Sequence, residues 1–425
     1  MAAFLVSARR LLAAAIPGTL LIGPLIGQPA AAQAGSAADP SCAWSTAASV
    51  QDMNALFPES HAAYWAMSFV VHADLRISLT STFPSSRFAS VTVYKQEGGG
   101  FQVNGVDSTL TDYEITPDPG MVNPWRPRNQ APSPAHAPAG GSFAIDIVND
   151  PRPDAVNTLP LAPAETPDGT QGWLVYRIYL PAGGDFDNVV LPQVTLDRAG
   201  TSTTLPSCAA DDVATEKQVA AQPSSTPTGI GFTRPVPDLG ILPNTDSGYV
   251  AATVTPPGDD QVLVVRGRAA TSAHGDHPSA WPQHDRQLRY WSLCTNLDNV
   301  QRSLVVNYLS DGSTDYGCRN DDETTLDAAG YYTYVVGTEA QRSAIEQIPG
   351  ATFVPWSDAR PTAQHVIMLR NMLANRGFAQ AIQNVPEDND PASAQATMGD
   401  YYPRDAICAL STLETAGATA CLATP

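Results

Sequence analysis

The chain has 425 residues, 43% of them hydrophobic and only 15% charged, with 37 prolines against 31 glycines. Its 42 acidic residues outnumber 23 basic ones, for a formal net charge of −19. The apolar share excludes a chain disordered throughout, and the acidity argues against nucleic acid or an anionic membrane surface as partner.

Residues 1–34 read as a signal peptide. Arg9 and Arg10 supply the positive start, an apolar stretch follows, and Ala32-Gln33-Ala34 offers small residues where a signal peptidase cuts. Pro17 and Pro24 interrupt the apolar run, whereas a bilayer span needs about 20 uninterrupted residues. General and twin-arginine export both stay open. Cleavage removes two arginines and no acid, taking the formal charge from −19 to −21. No second long apolar segment follows, so the expected location is secreted, extracellular or in the cell envelope, with no membrane insertion after cleavage.

The length suggests two domains, assigned to residues 35–208 and 229–425. Between them, 209–228 is polar and rich in Pro, Ser and Thr, as a linker is. In the first domain, residues 75–80, 88–94 and 173–180 alternate apolar and polar side chains as half-buried strands do. Segment 127–141 is a Pro/Ala/Gly loop. In the second, 261–266 predicts a strand, and 339–348 and 374–385 predict helices. The fold class expected is mainly β, two tandem jelly-roll-like β-sandwiches with a few short helices.

The halves repeat. Arg87-Phe88-Ala89-Ser90 corresponds to Arg289-Tyr290-Trp291-Ser292, and Thr111-Asp112-Tyr113 to Thr314-Asp315-Tyr316. Leu159-Pro160 precedes a strand bearing Arg177, as Val354-Pro355 precedes one bearing Arg370. This order, with Asn157-Thr158-Leu159-Pro160-Leu161-Ala162-Pro163 and Tyr176-Arg177-Ile178-Tyr179-Leu180-Pro181, resembles bacterial, actinobacterial-like, secreted β-sandwich proteins of unassigned function. Thr158 departs from the Trp usual there. The resemblance implies a jelly-roll-like fold and secretion, and carries no catalytic residue.

Six cysteines in a secreted chain point to disulfides. The pairing expected is Cys42–Cys208, Cys294–Cys318 and Cys408–Cys421, each within one module or terminal segment. No C-x-x-C or clustered Cys/His set favours zinc.

Candidate ligand-binding residues are the aromatic pairs Tyr64-Trp65 and Tyr290-Trp291, one ring of each exposed for stacking on a sugar, and Arg177 and Arg370, whose guanidinium forks suit a carboxylate. The competing reading makes all of them structural. His274, Asp276, His277 and His284 are candidate metal ligands in a loop, set against a solvated polar turn. Cofactors are expected to be none, apart from a surface Ca2+ held loosely around Asn320-Asp321-Asp322-Glu323 or at Asp311–Asp315. His72 and Asp74 are a weaker catalytic pair. No nucleophile elbow, zincin, P-loop or dinucleotide motif is present, so the catalytic residues, the question of enzyme activity and the oligomeric state stay open. The leading expectation is binding of an extracellular or envelope ligand such as a glycan. The alternatives are a glycan hydrolase or lyase working in a groove between the modules, and a self-assembling envelope protein.

Overall fold

Strand β1 (Thr46–Ala48) opens the first sandwich, followed by β2 (Ala62–Val70), β3 (Arg76–Thr82) and β4 (Ser86–Tyr94). A small hairpin, β5 (Gln102–Val103) and β6 (Val106–Asp107), leads to β7 (Thr109–Thr111), β8 (Ser142–Val148) and β9 (Thr158–Pro160). The long β10 (Gln171–Pro181), β11 (Gln193–Arg198) and β12 (Thr201–Thr204) complete it. Two five-stranded sheets result, ordered β1-β2-β10-β4-β7 and β12-β11-β3-β8-β9. This computed structural model describes residues 39–127, 141–208, 231–235, 242–299 and 301–423. The expected signal peptide, the 209–228 linker and nearly all of the 127–141 loop lie outside the described residues.

The second sandwich contains β13 (Ser247–Val254), β14 (Gln261–Arg268), β15 (Leu288–Leu297), β16 (Val306–Tyr308), β17 (Thr314–Tyr316) and β18 (Cys318–Asn320). After these come β19 (Tyr331–Gly337), α1 (Glu339–Ile345), β20 (Ala351–Pro355), β21 (His365–Ala374), α2 (Pro391–Met398), β22 (Arg404–Ala409) and α3 (Leu410–Leu422). Its two main sheets run β13-β21-β15-β18 and β20-β19-β14-β22. The strand orders reproduce those of the first sandwich, including one parallel pair in each, β8 with β9 and β19 with β20.

Register makes the repeat exact to the residue. Arg177 lies opposite Tyr64 and Ser90, and Arg370 lies opposite Tyr249 and Ser292. One landmark moves. Ser90 pairs with Thr111 while Ser292 pairs with Asn320, so the counterpart of Asp112 is Asp321 rather than Asp315. Both aspartates donate their backbone N–H to the neighbouring strand, Asp112 to Ala89 O at 2.9 Å and Asp321 to Trp291 O at 3.0 Å. The hairpin β16–β17, inserted before β18, carries the look-alike Thr314-Asp315-Tyr316.

Strands expected at 75–80, 88–94, 173–180 and 261–266 are β3, β4, β10 and β14. β4 and β10 are not half-buried, however, because both of their faces are covered. Leu174, Tyr176 and Ile178 enter the first core with Ile77 and Ile145. The alternate residues Val175, Arg177 and Tyr179 are equally buried, because the second sandwich presents the same face of β21 and β15 to them. Phe88, Tyr179, Tyr290 and Met372 meet there. The Tyr179 ring centroid stands 5.6 Å from Phe88 and 5.4 Å from Tyr290, both edge-on, a geometry worth about 1 kcal/mol per pair beyond area burial. Four stacked sheets thus enclose three buried layers between them, and α1 and α3 cover the outer face of the last sheet with a fourth.

The expected helix 339–348 forms as α1, started by a capping box between Thr338 and Gln341. The one expected at 374–385 does not form. Phe378, Ala381, Ile382 and Val385 have helical spacing, but tight turns carry them into the second core, and Asn375 anchors the segment by donating to Gln283 O at 2.7 Å. Helices α2 and α3 were not anticipated. All three expected disulfides form, and Cys408–Cys421 ties α3 to β22. Among the described residues no helix is long and apolar enough to cross a membrane.

Candidate ligand cavity between the sandwiches

The segments leading into β2 and β13 cross over. Residues 54–61 leave the first sandwich and lie on the second, while 242–246 lie on the first. Phe57-Pro58 and Leu242-Pro243 correspond in register, each pair standing at the same spacing before its tyrosine, Tyr64 or Tyr249. Phe57 O accepts from Arg370 Nη2 at 3.4 Å, and Leu242 O accepts from Arg177 Nη2 at 2.9 Å. Tyr94 Oη donates to Pro243 O at 2.5 Å. Each proline-turned arm therefore uses its carbonyls to meet an arginine of the opposite half, where strand geometry leaves a buried guanidinium in need of acceptors.

The crossed arms enclose a cavity of about 150 Å³. Ala48, Met53, Ala55, Val175 and Met368 contribute apolar wall, and Tyr64, Tyr249, Arg177 and Arg370 the polar corner. The Arg177 guanidinium sits 5.6 Å from the centre of the Tyr64 ring and 5.3 Å from that of Tyr94, and Arg370 sits 5.4 Å from that of Tyr249. Glu59 Oε2 accepts from Arg370 Nη1 at 2.6 Å and from Ser292 Oγ at 2.5 Å. Burial opposes the Glu59 charge, but His61, Arg370 and Ser292 overcome it and hold the carboxyl well below the usual range. His61 bridges Glu59 at 2.9 Å and Glu323 at 3.0 Å. Burial opposes its charge too, yet the two carboxylates raise it to about 9.

Beside the cavity, reciprocal ion pairs lock the halves. Arg289 Nη2 meets Asp112 Oδ1 at 3.1 Å, and Arg87 Nη1 meets Asp321 Oδ1 at 2.5 Å. Arg87 also pairs with Asp322 and donates from Nε to Gly275 O at 2.6 Å. Burial pushes Asp112 and Asp321 up to about 6 despite their arginines, so desolvation outweighs attraction at both. An open cleft of about 480 Å³ lies nearby. There Glu114 and Asp246 converge on Thr111, which donates its N–H to Glu114 at 3.1 Å and its hydroxyl to Asp246 at 3.2 Å. Burial and the Glu114 charge raise Asp246 to about 7.

Of the candidates named from sequence, Tyr64, Arg177 and Arg370 come together around the cavity. Trp65 packs against the first core, 6.2 Å from Tyr176. Tyr290 and Trp291 are both enclosed, at 0% and 3% exposure, because one faces the other sandwich and one its own core. No ring of that pair is free for stacking.

The metal grouping does not assemble. Among the described residues, His274, Asp276, His277 and His284 form no convergent donor set, and the one such set, Glu59 with Cys294 and Cys318, has its sulfurs in a disulfide. The loop instead clamps the first sandwich. Asp276 accepts from Gly183 N at 2.7 Å and His277 bonds Ser85 Oγ at 3.2 Å, while His274 Nδ1 meets Asp322 of its own sandwich at 2.7 Å. The carboxylates considered for calcium are likewise engaged. Asp315 pairs with Arg319 and Arg342, Asp321 and Asp322 pair with Arg87, and Asp311 closes a turn onto Ser313. His72 and Asp74 diverge, towards Asp168 and Arg198. Glu59, His61 and the crossed arms escaped sequence reasoning, although the paired Phe57-Pro58 and Leu242-Pro243 were a usable signal.

No family model and no curated protein matches the chain. Among solved structures, an uncharacterised protein from Burkholderia cenocepacia is similar at 13% identity and a TM-score of 0.46, over 88% of this chain and 84% of that one. A Vibrio parahaemolyticus protein is similar at 12% identity and a TM-score of 0.41, over 84% of this chain and 92% of that one.

Proposed function

We propose that the protein is an exported, non-catalytic binding protein that holds a small extracellular or envelope ligand between its two sandwiches. The cavity carries this reading. It is walled by apolar side chains, ringed by Tyr64 and Tyr249, and bounded by two arginines, the combination of apolar surface with few placed polar groups that ligand sites have. Three disulfides and the signal-like first residues support export.

The test is a thermal-shift panel of oligosaccharides and of small aryl and alkyl compounds against the exported protein and its Ala66→Trp variant, whose indole fills the cavity. The expected result is a set of compounds that raise the Tm of the parent and not of the variant. A panel without hits, or hits indifferent to Ala66→Trp, would overturn the reading.

A second reading rests on the Glu114–Asp246 cleft. An acid held protonated near neutrality beside a second carboxylate is the arrangement of glycoside hydrolases, and the cleft's polar walls suit a hydroxylated chain. Release of new reducing ends or unsaturated products from a polysaccharide, lost in Asp246→Asn and Glu114→Gln, would support it. Absence of products across plant, bacterial and host polysaccharides would remove it.

A further inference from the structure

The duplication supplies an internal control for the cavity. Arg370 has a carboxylate, Glu59, at 2.6 Å. Arg177, at the corresponding position and 1% exposed, has only neutral partners among the described residues. They are Thr92 Oγ1 at 3.2 Å, Tyr94 Oη at 2.6 Å and Leu242 O at 2.9 Å. The residue corresponding to Glu59 is Asn244, which turns its Oδ1 to the backbone N–H of Asp246 at 3.1 Å. Arg177 Nε, Ser90 Oγ and Asn244 Nδ2 are all buried without partners. In the other half Glu59 itself stands at the Asn244 position, and its carboxylate takes Arg370 Nη1 and Ser292 Oγ, while Arg370 Nε is without a partner there too. Asp246, whose Oδ1 accepts from Thr111, makes no direct ion pair with Arg177 and feels its charge only at longer range.

A buried cation without a direct counter-ion is costly, as are orphaned donors. Arg177 and Asn244 both line the cavity, Arg177 without a carboxylate partner and Asn244 with its Nδ2 unpaired, at the position where the sister half places the carboxylate of Glu59 on Arg370. We infer that the ligand supplies the corresponding carboxylate here, and that the cavity binds an apolar monocarboxylic acid with its carboxylate on Arg177 and Asn244. The class follows from charge and wall. Glu59 already neutralises Arg370, leaving one positive charge for one anion. Ala48, Met53, Ala55, Val175 and Met368 offer the rest of the ligand nothing to hydrogen-bond through their side chains. Apolar cavities of roughly 150 Å³ in other proteins admit benzene, so the body is of the size of a phenyl ring or a short alkyl chain.

This inference rests on the binding reading above, and its test separates the two. Benzoate and hexanoate are titrated calorimetrically against the exported protein, with benzamide and benzyl alcohol as neutral analogues. The acids are expected to bind at least about tenfold more tightly than the neutral compounds, the usual advantage of hydrogen bonds to a charged group. Arg177→Gln should abolish that preference. Asn244→Glu, which restores the counter-ion found in the sister half and keeps the arginine paired, should raise Tm and weaken acid binding by at least about tenfold. Equal binding of acids and neutral analogues, or acid binding unchanged in Asn244→Glu, overturns the carboxylate assignment while leaving the binding reading in place. Binding by neither set overturns the assignment, and the Ala66→Trp panel then decides the binding reading by itself.

Discussion

Arg289 of the second sandwich and Asp112 of the first form a fully buried ion pair, 3.1 Å between Nη2 and Oδ1. Arg87 and Asp321, at the corresponding positions with the halves exchanged, form another at 2.5 Å. The sandwiches are therefore joined by the same contact made twice in opposite senses, a relationship that duplication of one module followed by face-to-face packing produces.

Breaking one of these pairs should be expensive. Arg289→Met leaves Asp112 enclosed without its counter-charge, which costs about 3–5 kcal/mol in comparable buried pairs. Because burial already outweighs the arginine's attraction at Asp112, Arg289→Met with Asp112→Leu should recover most of the loss. Urea unfolding of the two variants checks both signs, and a double variant no better than the single would refute the argument.

His61 predicts an alkaline loss of stability. Its pKa is raised from 6.5 to about 9 in the folded protein, so between these values the native state holds a proton that the unfolded chain has released. The contribution is complete below pH 6.5 and disappears as pH rises through 9. His61→Gln should flatten that part of the stability profile, measured as urea midpoint against pH.

Asp246 acts in a lower window with the same direction. Raised from 3.8 to about 7, it keeps its proton in the native state where the unfolded chain has lost it. Stability due to this group therefore declines as pH rises from about 4 to 7. Asp246→Asn should remove that slope, and the same pH series on the variant measures it.

Removing the Cys42–Cys208 disulfide, which joins residues 166 apart, should cost about 2–5 kcal/mol by releasing the largest closed loop of the unfolded chain. The paired Ser variant should show a lower Tm. Loss of Cys408–Cys421, 13 residues apart, should cost less. An equal or reversed order would count against the loop-length account.

Some of this architecture was legible without coordinates. Alternation marked β3, β4, β10 and β14 because a strand's side chains point to opposite faces. The spacing of landmark residues aligned Arg177 with Arg370, and confinement to single modules identified all three disulfides. Alternation reports one covered face only, so the burial of both faces of β4 and β10, and with it the fate of Tyr290 and Trp291, depended on a sheet hundreds of residues away. The Asp112 landmark misled because an inserted hairpin carries the same three-residue pattern.

The sequence alone determined a disulfide-bonded, duplicated, mainly β chain, since strand periodicity, cysteine placement and repeated motifs are local properties. Tertiary structure decided which groups are left unpaired. Arg177 and Arg370 look alike along the chain, and only the crossing of the two arms reveals that Glu59 faces one while Asn244 stands at the other. Charge compensation is a long-range property of packing, and it is there that the candidate site lies.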